Sequence, residues 1–180
     1  EFSKIYQRQG AVGLNAATSK DYTYYMVELP SADFELWCWM ESERLLNPVF
    51  RQFYKEREVV MEERRMRTDD SPAGRMYETL LATAYQSHPN RFPVIGWASD
   101  IRGLMMTDTA KLHRTYYRPD NIVLSIVGDL DAATVEPLLE RYFGRLPAGE
   151  GEIPKVTTVE EPQRGPREAV VYFDAQPSFA

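Results

Sequence analysis

The sequence has 180 residues, enough for one domain with a sizeable core and short for two; at 43% apolar, 27% charged and 12% aromatic it is globular in composition. A net charge of −6 with no basic patch argues against a nucleic-acid or anionic-membrane partner. No apolar run approaches the ~20 residues of a membrane span, and the single cysteine, Cys38, excludes an internal disulfide or a cysteine-only metal site.

In chain order, "EFSKIYQRQG" has no initiator methionine and reads as the last turns of a helix closed by Gly10. "AVGLNAATS" and "DYTYYMVEL", joined at Ser19-Lys20-Asp21, are rich in strand formers and are expected to pair as an antiparallel hairpin. Pro30-Ser31 starts a helix with Ser31 as N-cap and an apolar surface of Phe34, Leu36, Trp37, Met40 and Leu45. Asn47-Pro48 repeats the cap-and-proline signal for a helix running to about Thr68, and Ser71-Pro72 repeats it again for a helix through Tyr85. "QSHPNRFPVIGWASDIRGL" reads as loop, and a further helix is expected over roughly Thr107 to Tyr117.

"NIVLSIVGD" is a short apolar run bounded by polar residues, the mark of a buried central strand. The next helix ends at Gly144; Pro137 is tolerable only in a first turn, which puts the helix start near Thr134. Residues 149–166 read as a linker, and a last strand begins near Glu168. The order is that of an α+β fold, helices on a largely antiparallel sheet. Both ends look cut, so the chain is expected to be a piece of a longer polypeptide.

One stretch carries a chemical question. "KEREVVMEERR" holds Glu56, Glu58, Glu62 and Glu63 on one predicted helix. At ~100° per residue, Glu58 and Glu62 point away from the apolar arc of Leu46, Val49, Phe53 and Val60, whereas Glu56 and Glu63 point into it. Those two lie two turns apart, ~10.5 Å along the axis. Two readings account for the pair. Glu63 can bond Arg67 at i,i+4 while Glu56 snorkels to the core edge. Alternatively a cation offsets the cost of burying carboxylates, and carboxylate oxygen is an ordinary zinc ligand. His88, before proline in a loop, and His113, mid-helix among Leu112, Tyr116 and Tyr117, have no ligand-like spacing and read as structural or surface residues. No phosphate loop, nucleophile elbow or dinucleotide fingerprint occurs.

Six landmarks in order, "GLNAATSKDYTYY", "ERLLNPVF", "EREVVMEE", "HPNRFPVIG", "YYRPDNIVLSIVGD" and "RYFGRLP", resemble the pattern of the M16 zinc peptidases over nearly the whole chain. That family includes pitrilysin, insulin-degrading enzyme and the mitochondrial processing peptidase. The resemblance implies the LuxS/MPP-like metallohydrolase fold, with its first strands and motif helix missing here. It implies Zn2+ in the complete protein, with Glu63 as a metal ligand and Glu56 as a supporting carboxylate. Asn15 and Ala16 match the edge strand to which a substrate peptide adds.

The family's His-x-x-Glu-His motif, which carries two zinc ligands and the general base, occurs nowhere in these residues. The resemblance places it a short way upstream, so the chain by itself is expected to be inactive. On this resemblance residues 1–148 form part of an N-terminal peptidase domain, 149–166 a linker, and 167–180 the first strand leading to a second, homologous half. The implied activity is hydrolysis of peptides or unfolded segments. Two rivals stand beside it: a non-catalytic subunit or peptide-binding module, and an unrelated helical adaptor with salt-bridged glutamates.

Overall fold

The computed structural model describes residues 2–174. They divide into two compact units, one made of residues 2–51 and 107–153, the other of residues 52–106 and 154–174.

The first unit opens with helix α1 (Phe2–Arg8), and Gly10 follows it at a positive φ of 75°. The expected hairpin forms from β1 (Val12–Thr18) and β2 (Thr23–Glu28), antiparallel, with Ala16 opposite Tyr25. Its register slips between Val12 and Asn15. Gly13 takes φ 64° there, the left-handed backbone a bulge of this kind needs and other residues rarely adopt. Tyr25 carries the hairpin onto its neighbours: its hydroxyl bonds that of Tyr117 at 2.5 Å, and the Arg44 guanidinium lies 4.0 Å above its ring.

Helix α2 (Phe34–Leu46) buries Phe34, Cys38 and Met40. Beside them, the buried Tyr6 hydroxyl donates to Glu41 Oε1 at 2.8 Å. Trp37 stacks on Phe34 at 5.6 Å and meets the tilted ring of Phe143 at 5.7 Å, and so joins α2 to α7 (Ala132–Phe143). Ser31 is not the cap expected of it. A single 3₁₀ turn, Ser31–Asp33, precedes α2, and no side chain caps either piece. Helix α7 begins at Ala132, earlier than expected, because the Asp131 carbonyl already accepts from Thr134 and Val135. Pro137 therefore sits inside the helix, where it cannot donate to the Ala133 carbonyl.

Residues 122–127, expected as a central strand, are extended but hydrogen-bond into no ladder among the described residues. Their exposure alternates strand-fashion, with Val123 at 91%, Ser125 exposed and Val127 at 95%, and with Ile122, Leu124 and Ile126 half-covered. The period of two is present, and among the described residues no strand pairs with it. The strand expected from Glu168 differs in the same way: residues 167–174 have no regular structure, and 175–180 lie outside the described residues.

In the second unit α3 (Phe53–Arg64) runs into a π-helical turn, Arg65–Asp69, and then α4 (Pro72–Ala84). Asn47-Pro48 does not start α3. Asn47 closes α2 instead, its side chain donating to Glu43 at 2.8 Å, and α3 begins five residues after Pro48. Ser71 caps α4 as expected, accepting from the Gly74 N–H at 3.2 Å with Pro72 at the first helical position. A Cβ on Gly74 would lie 1.9 Å from the Arg67 carbonyl, so only glycine lets α4 approach the π turn this closely. The expected loop after α4 contains a short helix, α5 (Ala98–Gly103), which packs on α3 and buries Ile101. The helix expected from Thr107 is α6 (Met106–Tyr116), which from Thr107 onward belongs to the first unit. No helix among the described residues is long and apolar enough to cross a membrane.

Candidate metal centre

All four glutamates of the opening question lie on α3. Glu58 and Glu62 are exposed, at 69% and 53% of the side chain, and each bonds an arginine: Glu58 with Arg57 at 3.3 Å and Glu62 with Arg65 at 2.6 Å. Glu63 is half-covered at 36% and bonds Arg67 Nη1 at 2.8 Å. Phe53 and Val60 are half-buried. Glu62 therefore faces solvent and Glu63 leans toward cover, as the helical wheel requires.

Glu56 departs from the wheel's expectation of a dry position: it is exposed. The reason is where the helix starts. With α3 beginning at Phe53, Glu56 falls in its first turn, its N–H bonded to the Gln52 carbonyl. There a carboxylate needs no burial to be stabilised, because the helix dipole favours it.

The inward face of α3 holds two arginines that sequence reasoning missed. Phe53, Arg57, Val60 and Arg64 follow i, i+4, i+7, i+11, one continuous stripe. Arg57 Nη1 donates to the carbonyls of Arg102 and Leu104, at 3.1 and 3.2 Å. Arg64, 3% exposed, is bound bidentately to the buried Glu78, at 2.6 and 3.1 Å, and donates to the Gly96 carbonyl at 2.8 Å. Asp69 and Arg75 close the cluster: Arg75 bonds Asp69 at 2.8 Å and Glu78 at 3.2 Å. The signal was available, since charged residues continuing an apolar stripe must find partners inside.

Neither histidine joins the glutamates in a metal-ligating group. His88 Nδ1 accepts from the Asn90 N–H at 3.1 Å. His113, in the other unit, stacks on Tyr117 at 4.8 Å and meets Phe50 edge-on; burial pushes its pKa down. Asn15 and Ala16 lie exposed on β1, and Asn15 Oδ1 accepts the Ala16 N–H at 2.9 Å.

A protein zinc site draws on roughly three or four donors. Among the described residues no three His, Cys, Asp or Glu side chains converge. Among the described residues Glu63 is thus a half-covered carboxylate paired with Arg67, with no further potential ligands gathered around it.

Residues 3–96 match the insulinase family, peptidase family M16, and residues 106–180 match the domain described as the M16 inactive domain. The chain belongs to peptidase family M16. The zinc protease PqqE of Helicobacter pylori is 39% identical over 177 residues, which are 97% of this chain and 40% of that protein. A protease from Helicobacter pylori of known crystal structure has a TM-score of 0.90 at 38% identity, over 97% of this chain and 43% of its own. The ferredoxin protease FusC, crystallised with Arabidopsis ferredoxin, gives 0.75 at 25% identity, over 90% of this chain and 19% of its own. The chain spans about 40% of the length of the curated relative it matches.

Proposed function

We propose that the protein of which these residues form part is a zinc-dependent endopeptidase acting on peptides or unfolded polypeptide segments, and that Glu63 supplies one carboxylate ligand to the metal. One observation carries this reading. Of the four glutamates on α3, Glu63 alone is drawn toward cover, yet among the described residues its ion-pair partner is the exposed Arg67. A surface pair of this type is weak and exchangeable, so the carboxylate is free to take a stronger cation.

Zinc, when bound, supplies Lewis-acid polarisation of a carbonyl and makes water a competent nucleophile near neutral pH. The roles of this chain's own residues are narrower. Glu63 donates a carboxylate oxygen. Glu56, two turns earlier and exposed, adds negative charge that supports the site electrostatically. Asn15 and Ala16 present strand backbone to which an extended peptide adds, giving affinity that tolerates many sequences. The bond from the Ala16 N–H to Asn15 Oδ1 opens when that N–H is offered to a peptide. The general base and remaining ligands belong to residues outside this chain, and a second homologous half accompanies this one.

A non-catalytic peptide-binding subunit would use the same strand without the metal. Turnover of an internally quenched peptide by the full-length protein separates the two. Hydrolysis that stops on chelation and returns with added zinc supports the peptidase; peptide binding with no hydrolysis supports the subunit.

A further inference from the structure

We propose that Arg64 and Glu78 form a positioning pair that fixes the direction in which the Glu63 carboxylate leaves α3; this rests on the reading of Glu63 as a metal ligand. Arg64 directly follows Glu63, and its guanidinium is among the most fully enclosed charges described. It ties α3 to α4 through Glu78 and to the segment before α5 through the Gly96 carbonyl. Its face lies 6.0 Å from the Trp97 ring. Immediately beyond it the helix widens into the π turn of Arg65–Asp69, a form frequent at functional sites. The close approach at Gly74 then locks that turn against α4. The Glu63 backbone is therefore held from its C-terminal side by two independent contacts, while among the described residues its side chain bonds the exposed Arg67.

That division suits a ligand. A donor group has to sit within ~0.5 Å of its working geometry, which a fixed Cα–Cβ direction supplies, and has to be released easily by whatever holds it in the free state. Stability alone gives a weaker account of the cluster. Buried ion pairs are often replaced by apolar residues without loss, yet here Arg64, Glu78, Asp69 and Arg75 converge beside the candidate ligand. The Arg64 guanidinium bonds Glu78, Asp69 and the Gly96 carbonyl, so its effect on Glu63 passes through the backbone.

The test uses the full-length protein, with zinc alone as the probe, and three variants: Glu78→Gln, the double replacement Arg64→Met with Glu78→Leu, and Glu63→Gln. Zinc affinity is read by competition with a chromogenic chelator, kcat and KM on a quenched peptide, and melting temperature without metal. Glu78→Gln and the double variant are expected to weaken zinc by roughly 10–100-fold and to lower kcat with KM near that of the parent. The double variant, whose apolar pair refills the space, is expected to keep its melting temperature, so it carries the test if Glu78→Gln fails to fold. Parent-like zinc affinity and kcat in the folded double variant, with zinc lost from Glu63→Gln, overturn the positioning role and leave the ligand standing. Zinc retained in Glu63→Gln overturns the ligand reading itself, and the positioning role with it.

Discussion

Arg67 Nη1 lies 2.8 Å from Glu63 Oε1, one helical turn away, with the arginine 76% and the glutamate 36% exposed. Three residues before Arg67, Arg64 holds Glu78 with both side chains nearly inaccessible, at 4% and 6%. Two ion pairs on the same helix end thus sit in opposite dielectric surroundings, and their energetic weights differ accordingly. The exposed pair is screened and worth about 0–1 kcal/mol. Breaking the buried one strands a charge that water cannot reach, at about 3–5 kcal/mol.

Urea unfolding is expected to show this difference directly. Arg67→Ala should change stability by less than about 1 kcal/mol, whereas Glu78→Ala should cost up to about 3–5 kcal/mol, because the buried Arg64 loses its bidentate partner and is left with Asp69 at 3.4 Å and the Gly96 carbonyl. Equal losses in the two variants would contradict the assignment of one pair to solvent and the other to the core.

The chain by itself is expected to hold no stoichiometric zinc at neutral pH, since Glu63 is a lone donor and no three potential ligands converge among the described residues. Elemental analysis after dialysis checks this. One equivalent of zinc, lost on Glu63→Gln, would show that donors within the chain complete the site.

Where local chemistry decides the structure, the sequence was readable. Ser71-Pro72 starts a helix because the serine side chain reaches the Gly74 N–H. The hairpin forms where Tyr, Thr and Val cluster on either side of Ser19-Lys20-Asp21. Asn47-Pro48 has the same cap-and-proline pattern as Ser71-Pro72, but Asn47 bonds backward to Glu43, and a residue that satisfies the preceding helix cannot also open the next. Ile122 to Val127 keep a strand's alternation, yet a ladder needs a neighbour that no local pattern can specify. Helix α5 was too short to show a period. At the site, the wheel separated Glu63 from Glu62 correctly and misjudged Glu56, because solvent access at a helix's first turn depends on what else packs there. The Arg64–Glu78 pair joins residues 14 apart across a turn, a long-range match without a short-range signature.

Glu160 accepts the N–H groups of Gln86, Ser87 and His88 at 2.9–3.1 Å and pairs with Arg167. The His88 N–H first, then those of Gln86 and Ser87, hold its carboxyl down to about 2 against an ordinary 4.5. A carboxyl lowered on folding stabilises the fold above the unfolded value, and that contribution fades as pH falls toward the folded one. The stability advantage of the parent over Glu160→Gln should therefore be larger at about pH 6 than at about pH 3 in urea unfolding. The same difference at both values would contradict the clasp.

Cys38 is fully buried, and burial, with the charge of Glu35 second, pushes its thiol up to about 11. Since the thiolate is the reactive form, an aromatic disulfide reagent at mildly alkaline pH should label it slowly in the native chain and rapidly in guanidinium. Rapid native labelling would contradict the packing of α2.

Zinc stoichiometry of the full-length protein carrying Glu63→Gln tests the central claim most directly. The amide keeps the size and shape of the side chain and removes the charge that makes a carboxylate a good zinc ligand. Glu62→Gln, one residue away and exposed, is the control. Glu56→Gln should keep more of the metal yet still lower peptide turnover, within the ~10–100-fold range of supporting residues. The expected result is a near-complete loss of zinc and of peptide hydrolysis in Glu63→Gln, with both unchanged in Glu62→Gln. Full zinc and full turnover in Glu63→Gln, with only a small drop in melting temperature, would make the Glu63–Arg67 contact an ordinary surface salt bridge and end its assignment as a metal ligand.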